Sequence, residues 1–291
     1  MDIVLTLLTI IMTAATPLLL AALGEMVTER AGVLNLGVEG MMVMGAVAGF
    51  GGAYVTGNPW VGIVTSIFAG MLMSLLFGFL TLTLLANQVA TGLALTLLGL
   101  GLSALIGESF VGQPGIKLPT FSGIDPLVPF SLVMVAAVSW FMFRTKMGLV
   151  IRAVGNSHTS AHALGYNVIG VRYLSVLFGG AMSGIAGGYL SLVYTPQWVE
   201  NMTSGRGWIA LALVVFASWL PFRILAGAYL FDTISILSFV LQAQGLGIPS
   251  QFLSSLPYLG TILALVVISG NKALTRRNTP ASLGQPFVPD R

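Results

Sequence analysis

The chain has 291 residues, of which 56% are hydrophobic and 7% charged, with 36 glycines and a formal charge of +3. A soluble domain carries about 25% charged residues, so this composition is that of an all-α, polytopic membrane protein. The absence of cysteine excludes disulfides and thiolate metal or iron–sulfur sites, and so small a charge speaks of loop placement, not of nucleic-acid binding.

Apolar runs able to cross a hydrocarbon core of roughly 30 Å at 1.5 Å per residue predict about nine spans. In chain order they lie near Ile3 to Leu23, Gly40 to Tyr54, Val61 to Leu85, Val89 to Ile106, Val128 to Phe143, Tyr173 to Tyr194, Trp208 to Leu220, Ile224 to Leu241 and Phe252 to Ser269. Met1-Asp2 lacks a basic n-region, so the first run is expected to be a span and not a cleaved signal. Within it, Thr13, Thr16 and Pro17 predict a kink whose freed backbone groups the hydroxyls satisfy. The second and seventh runs are short and flanked by glycine, the pattern of broken helices.

Between the first two runs, GEMVTERAGVLNLGVEG (Gly24 to Gly40) packs Glu25, Glu29, Arg30, Asn35 and Glu39 among glycines. Irregular backbone at membrane depth is tolerated only where protein or a watery cavity covers it, and ionisable residues there point to function. Glu25, Glu29 and Arg30 are expected to form an interfacial turn with the arginine neutralised by a neighbouring glutamate. Asn35 and Glu39, at the mouth of an apolar helix, are candidate pathway residues. Small residues in GAMSGIAGG, at Gly179, Gly180, Ser183, Gly184, Gly187 and Gly188, predict a tight helix–helix seam.

The longest polar gap runs from about Arg144 to Arg172 and carries Lys146, Arg152, His158 and His162. With that gap and the C-terminus inside, only Lys117 and Arg206 of the 12 Lys and Arg fall outside, which by the positive-inside rule places the N-terminus outside and the C-terminus in the cytoplasm. Trp60, Trp198 and Trp208 are expected in the outer aromatic belt, and Trp140 and Trp219 in the inner one. In the gap, Asn156 or Ser157 can cap a short helix and Gly165 can end it in the left-handed conformation. Ala161 and Leu164 would then face a partner's groove while His158, Thr159 and Ser160 stay wet. Residues 1–270 read as the transmembrane domain, and 271–291, rich in Pro and Arg, as a disordered cytoplasmic tail.

No enzymatic set emerges. His158 and His162 are spaced i, i+4, but HTSAH lacks the glutamate of HExxH and the chain has only 2 histidines. Ser183 has no base nearby in sequence, so no catalytic residue, metal ligand or cofactor is expected.

TERAGVLNLGVEGMMVMGA (Thr28 to Ala46), ANQVATGLALTLLG (Ala86 to Gly99) and WVENMTSGRGWIALALVVF (Trp198 to Phe216) resemble, in order and over most of the chain, permease subunits of ATP-binding-cassette importers. The likeness is to the branched-chain amino acid and ribose permease superfamily, nearest the nucleoside branch that works with basic-membrane-protein-type binding proteins. Sugar permeases of that superfamily typically carry aspartate where this chain has Asn35 and glycine where it has Glu39. The resemblance implies a type II importer permease in the bacterial inner membrane, with Asn35, Glu39, Asn87, Gln88 and Arg206 along the solute path. It further implies that Asn156, Ser157, His158, Ala161, His162, Leu164 and Gly165 form the segment contacting an ABC ATPase subunit. Its other implied partners are a second related permease, an extracytoplasmic binding protein and membrane lipid. The chain contains no G-x-x-x-x-G-K-[ST] motif, so ATP hydrolysis would belong to a separate subunit.

Overall fold

The computed structural model describes residues 3–121, 123–243, 249–269 and 278–288. They form α1 (Ile3–Arg30), α2 (Val38–Thr56), α3 (Pro59–Gly78), α4 (Gln88–Gly107), α5 (Leu127–Arg144), α6 (Lys146–Asn156), α7 (His158–Ala163), α8 (Val168–Tyr189), α9 (Arg206–Phe216), α10 (Pro221–Ala243) and α11 (Ser250–Ser269). The described residues hold no strand beyond an isolated bridge between Phe121 and Ile124. One π turn extends α3 over Phe79–Thr83 and another extends α8 over Leu190–Tyr194.

Among the described residues, seven helices are long and apolar enough to cross a membrane, against the nine expected spans: α1 to α5, α8 and α10. The predicted seventh span is α9, whose 11 residues rise only about 16 Å, half a bilayer core. The predicted second span is longer than its apolar run, because α2 takes 19 residues including Val38 and Glu39. Helix α1 also differs from its prediction. It runs unbroken through Pro17 to Arg30, so Glu25, Glu29 and Arg30 lie on a buried helix end and not in an interfacial turn. Thr16 Oγ1 donates to the Met12 carbonyl at 2.8 Å, the ordinary i−4 back-bond of a helical hydroxyl, whereas the carbonyl freed by Pro17 is that of Thr13.

Helix α8 is the packing centre, lying against α1, α2 and α3. Its glycines make this possible, as the small-residue pattern predicts. Gly179 faces Gly24 and Thr28, Gly180 faces Gly70 and Ser74, Gly184 faces Ser66 and Gly45, and Gly187 meets the Met42 carbonyl. Without a hydrophobic driving force between helices in lipid, close backbone approach supplies the packing energy. Buried hydroxyls bridge the same seams: Ser191 Oγ donates to the Ala46 carbonyl at 2.8 Å and Thr28 Oγ1 to the Ser175 carbonyl at 3.1 Å.

Two belt assignments fail. Trp198 packs inside against Phe50 and the face of Gly107, and Trp219 is buried at the end of α9; both have internal work that outweighs an interfacial place. Trp60 and Trp140 are exposed near helix ends, as a belt requires. The tail also departs from expectation where it is described, since residues 278–288 pack on α6 and α7 through Ser282 and Phe287. Residues 270–277 lie outside the described residues.

Candidate functional site

Two interruptions of the helical pattern meet in the middle of the bundle. The first is the segment 31–37 between α1 and α2. Gly32, at φ +83°, turns the chain out of α1, and the segment then climbs along α4. Leu34 N donates to Gln88 Oε1 at 2.8 Å, near the start of α4, and the Leu36 carbonyl accepts from Thr96 Oγ1 at 3.1 Å. Thr96 lies two turns along that helix, so the segment ends about 12 Å from the start of α4. Backbone groups left unpaired at such depth cost several kcal/mol each, and side chains take their place. Asn35 N donates to Glu25 Oε1 at 3.2 Å, and Gly37 N donates to Asn35 Oδ1 at 2.9 Å.

The second interruption is the stretch 195–205, which leaves the end of α8 and descends past Trp198 to a turn. Asn201 and Ser204 hold positive φ, and Gly205 follows at +84°. Helix α9 starts there, with free N–H groups and the positive end of its dipole. Glu39 meets it: its Oε1 accepts from Thr203 Oγ1 at 2.5 Å and Gly205 N at 2.8 Å, and its Oε2 accepts from Gly207 N at 2.6 Å. The carboxylate in the first turn of α2 thus caps the N-terminus of α9 as a bound anion would. Gly207 has to be glycine, because a Cβ there would sit 2.5 Å from the Glu39 backbone.

At the far end of α9, Ser218 and Trp219 take positive φ. Trp219 Nε1 donates to Glu29 Oε2 at 2.5 Å, and Arg30 Nη2 donates to the Trp219 carbonyl at 2.9 Å. Arg30 is therefore held by a carbonyl and by the Phe143 ring, 5.7 Å away, instead of the predicted glutamate pairing. Both ends of the half-helix are fastened to charged residues near α1 and α2.

Arg206 opens α9 beside this clamp. Its Nη1 lies 3.9 Å from Asp232 Oδ1 and 3.3 Å from the Ala14 carbonyl, with its guanidinium 4.9 Å from the Tyr194 ring centre. Its side chain keeps 23% exposure, while Asp232 is buried, its Oδ2 without a partner among the described residues. Of the pathway candidates, Asn35, Glu39, Gln88 and Arg206 converge on the two interruptions. Asn87 stands at their edge, where its exposed side chain caps α4 by accepting from Ala90 N at 3.0 Å. Asn35 and Glu39 are both almost fully buried, and their polar atoms engage the chain itself. Gln88 Nε2 has no partner among the described residues. Thr203, Thr96 and Asp232 belong to the same centre without standing among the candidates. Thr203 lies inside the motif at Trp198 to Phe216, and nothing local marks it as the partner of Glu39.

The polar gap folds as two helices, α6 and α7, at the bundle end that holds Arg30. Thr145 caps α6 and Ser157 caps α7, accepting from Gly148 N at 3.1 Å and Ser160 N at 3.3 Å. Asn156 ends α6 and does not cap α7. Gly165, at φ +86°, closes α7 with bonds from Tyr166 N to the Ala161 carbonyl (3.2 Å) and from its own N to the His162 carbonyl (2.8 Å), the Schellman pattern. Leu164 is 76% exposed, whereas Ala161 is buried against Val150, Val154, Val168 and Phe287. Ala161 thus faces its own chain and not a partner's groove. His158 Nδ1 lies 3.3 Å from Arg172 Nη2. Partial burial and then the Arg172 charge hold its pKa below the usual imidazole value. Among the described residues no cluster of three or more potential metal ligands occurs.

A half-helix that starts at a buried polar centre, within a bundle of apolar spans, is the arrangement of solute-conducting membrane permeases. Residues 7–269 match the family described as branched-chain amino acid transport system / permease component. The chain is 40% identical to the "Putative glucose ABC transporter permease protein TsgC13" of Haloferax volcanii, over 94% of each chain. It is 32% identical to the guanosine ABC transporter permease NupQ of Bacillus subtilis, covering 94% of this chain and 93% of that one. The nucleoside ABC transporter permease NupC of Lactococcus lactis is 29% identical, over 88% of this chain and 90% of its own. The chain belongs to this permease family and is a multi-pass permease subunit of an ABC transporter. No solved structure matches it.

Proposed function

We propose that this permease forms one half of the membrane pore of an ATP-driven nucleoside importer. The observation that carries the reading is the polar line from the start of α4 to the starts of α2 and α9: Glu39 spends its carboxylate on the α9 N-terminus, while Gln88 Nε2, at the start of α4, and the part-exposed Arg206 keep donors to offer. A donor-rich lining suits an acceptor-rich solute such as a nucleobase edge and ribose hydroxyls, and few imperfect contacts favour release. Asn35 and Glu39 shape the path by fixing the two helix ends, and Asn87 marks its inner mouth. Asparagine and glutamate at these positions also depart from the sugar-permease pattern, and similarity to guanosine and nucleoside permeases runs the length of the chain.

ATP is hydrolysed by a separate ATPase subunit, which contacts the α6–α7 region through exposed Leu164. A second related permease completes the pore, and an extracytoplasmic binding protein delivers solute to the face opposite α7. The basic end with α6, α7 and the tail is cytoplasmic and the N-terminus is outside, a reading supported by the distribution of Lys and Arg.

A hexose is the second reading, favoured by the 40% identity to the Haloferax volcanii relative. Vesicles carrying the complete transporter, offered labelled guanosine and labelled glucose together, separate the two. Guanosine uptake competed by other nucleosides and indifferent to excess glucose is the expected result; glucose uptake indifferent to nucleosides overturns the nucleoside assignment.

A further inference from the structure

The C-terminal segment closes over α6 and α7 as a strap, and a buried guanidinium together with a backbone bond ties that strap to the α1–α2 interruption. Ser282 N and Oγ donate to the Gly155 carbonyl at 2.9 and 2.7 Å, and Gly284 N donates to the Gly32 carbonyl at 3.1 Å. Phe287, 5% exposed, sits among Val150, Val154, Ala161 and Val168. The His158 and His162 rings meet it edge-on at 5.2 and 5.3 Å. Arg172, 1% exposed, has no carboxylate partner in the hydrogen bonds it makes. Its Nε donates to the Ala31 carbonyl at 3.2 Å, its Nη1 to the Gln285 carbonyl at 3.0 Å, and its Nη2 faces His158 Nδ1 at 3.3 Å. The planar fork of an arginine, with five donors in fixed directions, joins three separate elements in a way lysine cannot. Those elements are α7, the strap, and the interruption 31–37 that leads to Asn35 and Glu39.

We propose that Arg172 and the strap 282–287 form a mechanical linkage that makes α7 and the α1–α2 interruption move as one body. A push on α7 then reaches the segment carrying Asn35 instead of being lost in the turns at Ser157 and Gly165. These are positioning residues, and the inference rests on the reading of α7 as the element that meets the ATPase. The strap matters because α7 is short: its six residues are below the length at which an isolated helix holds itself together, and it has little packing on α8 without Phe287.

The native chain has no cysteine, so spin labels at Thr159→Cys on α7 and Val55→Cys at the far end of α2 report the linkage in the membrane-embedded protein. The full transporter is measured in parallel for ATP hydrolysed and solute taken up. Removing residues 282–291, or Phe287→Ala, should broaden the distance distribution and lower uptake per ATP by at least about fivefold, the smaller end of typical coupling effects. Arg172→Lys should do the same to a lesser degree, since it keeps charge and loses the fork. A narrow, unchanged distribution together with unchanged uptake per ATP in both strap variants overturns the linkage. If the truncated chain does not assemble, Phe287→Ala alone decides. Leu164→Asp distinguishes the two levels of the argument. If it leaves uptake and ATPase stimulation unchanged, the assignment of α7 fails, and the spin-label widths still decide whether strap and core move together.

Discussion

Replacing Glu39 tests the clamp at the start of α9. The carboxylate is 2% exposed and accepts three bonds, from Thr203 Oγ1 at 2.5 Å, Gly205 N at 2.8 Å and Gly207 N at 2.6 Å. A hydrogen bond to a charged group contributes about 1.5 to 3 kcal/mol, and a buried donor left unpaired keeps its desolvation penalty. Glu39→Ala orphans all three donors, at a cost of about 4.5 to 9 kcal/mol before relaxation. Against a net stability of about 5 to 15 kcal/mol, that releases or unfolds the N-terminus of α9. Glu39→Gln retains an oxygen for Thr203 and Gly205 but turns an amide N–H₂ toward the Gly207 N–H, losing one bond, about 1.5 to 3 kcal/mol. Thermal unfolding in nanodiscs, followed by the fluorescence of the 5 tryptophans, should rank native above Gln above Ala. Transport should fall in the same order. A Glu39→Ala protein that melts like the native one while losing transport would refute the clamp and leave the carboxylate a direct solute contact.

Further outcomes follow from the same geometry. Gly184→Leu should prevent a monodisperse permease from being recovered by size-exclusion chromatography, because a side chain at that position drives into the Ser66 carbonyl and the Gly45 region. In intact cells a membrane-impermeant thiol reagent should label Gln113→Cys and spare Thr159→Cys; the opposite pattern reverses the orientation. For His158, held below its ordinary pKa of 6.5 by burial and by Arg172, the neutral form anchors α7. The folded state binds fewer protons than the unfolded one, so that anchorage is complete above the unfolded pKa and is lost as pH falls through the depressed folded value. Hydrogen exchange across residues 157–166 should accelerate as pH drops from 8 into the acidic range, after correction for intrinsic rates, and His158→Gln should flatten that dependence.

Local chemistry made much of this readable in advance. Apolar run length marked seven of the nine expected spans among the described residues, because hydrocarbon thickness sets it directly. The glycine-flanked run before Leu220 marked a half-helix, and Ser157 with Gly165 marked the ends of α7, since caps act over three or four residues. What stayed hidden depends on distant partners. Glu25 and Glu29 look interfacial until Asn35 N and the Trp219 indole are brought to them. Glu39 looks like a free carboxylate until Thr203, 164 residues away, folds against it. Trp198 and the tail that carries Phe287 depart from expectation for the same reason: local pattern reports a residue's own segment, and their burial is decided by Gly107 in one case and by α6 and α7 in the other.

The most direct test of the account is uptake in proteoliposomes that contain this permease, its partner permease, the ATPase and the binding protein, with ATP inside and the membrane potential and proton gradient collapsed by ionophores. The account predicts inward nucleoside transport that needs ATP, survives the ionophores and is lost in Leu164→Asp. Uptake that persists without the ATPase and vanishes with the ionophores would make the protein a gradient-driven carrier and contradict it.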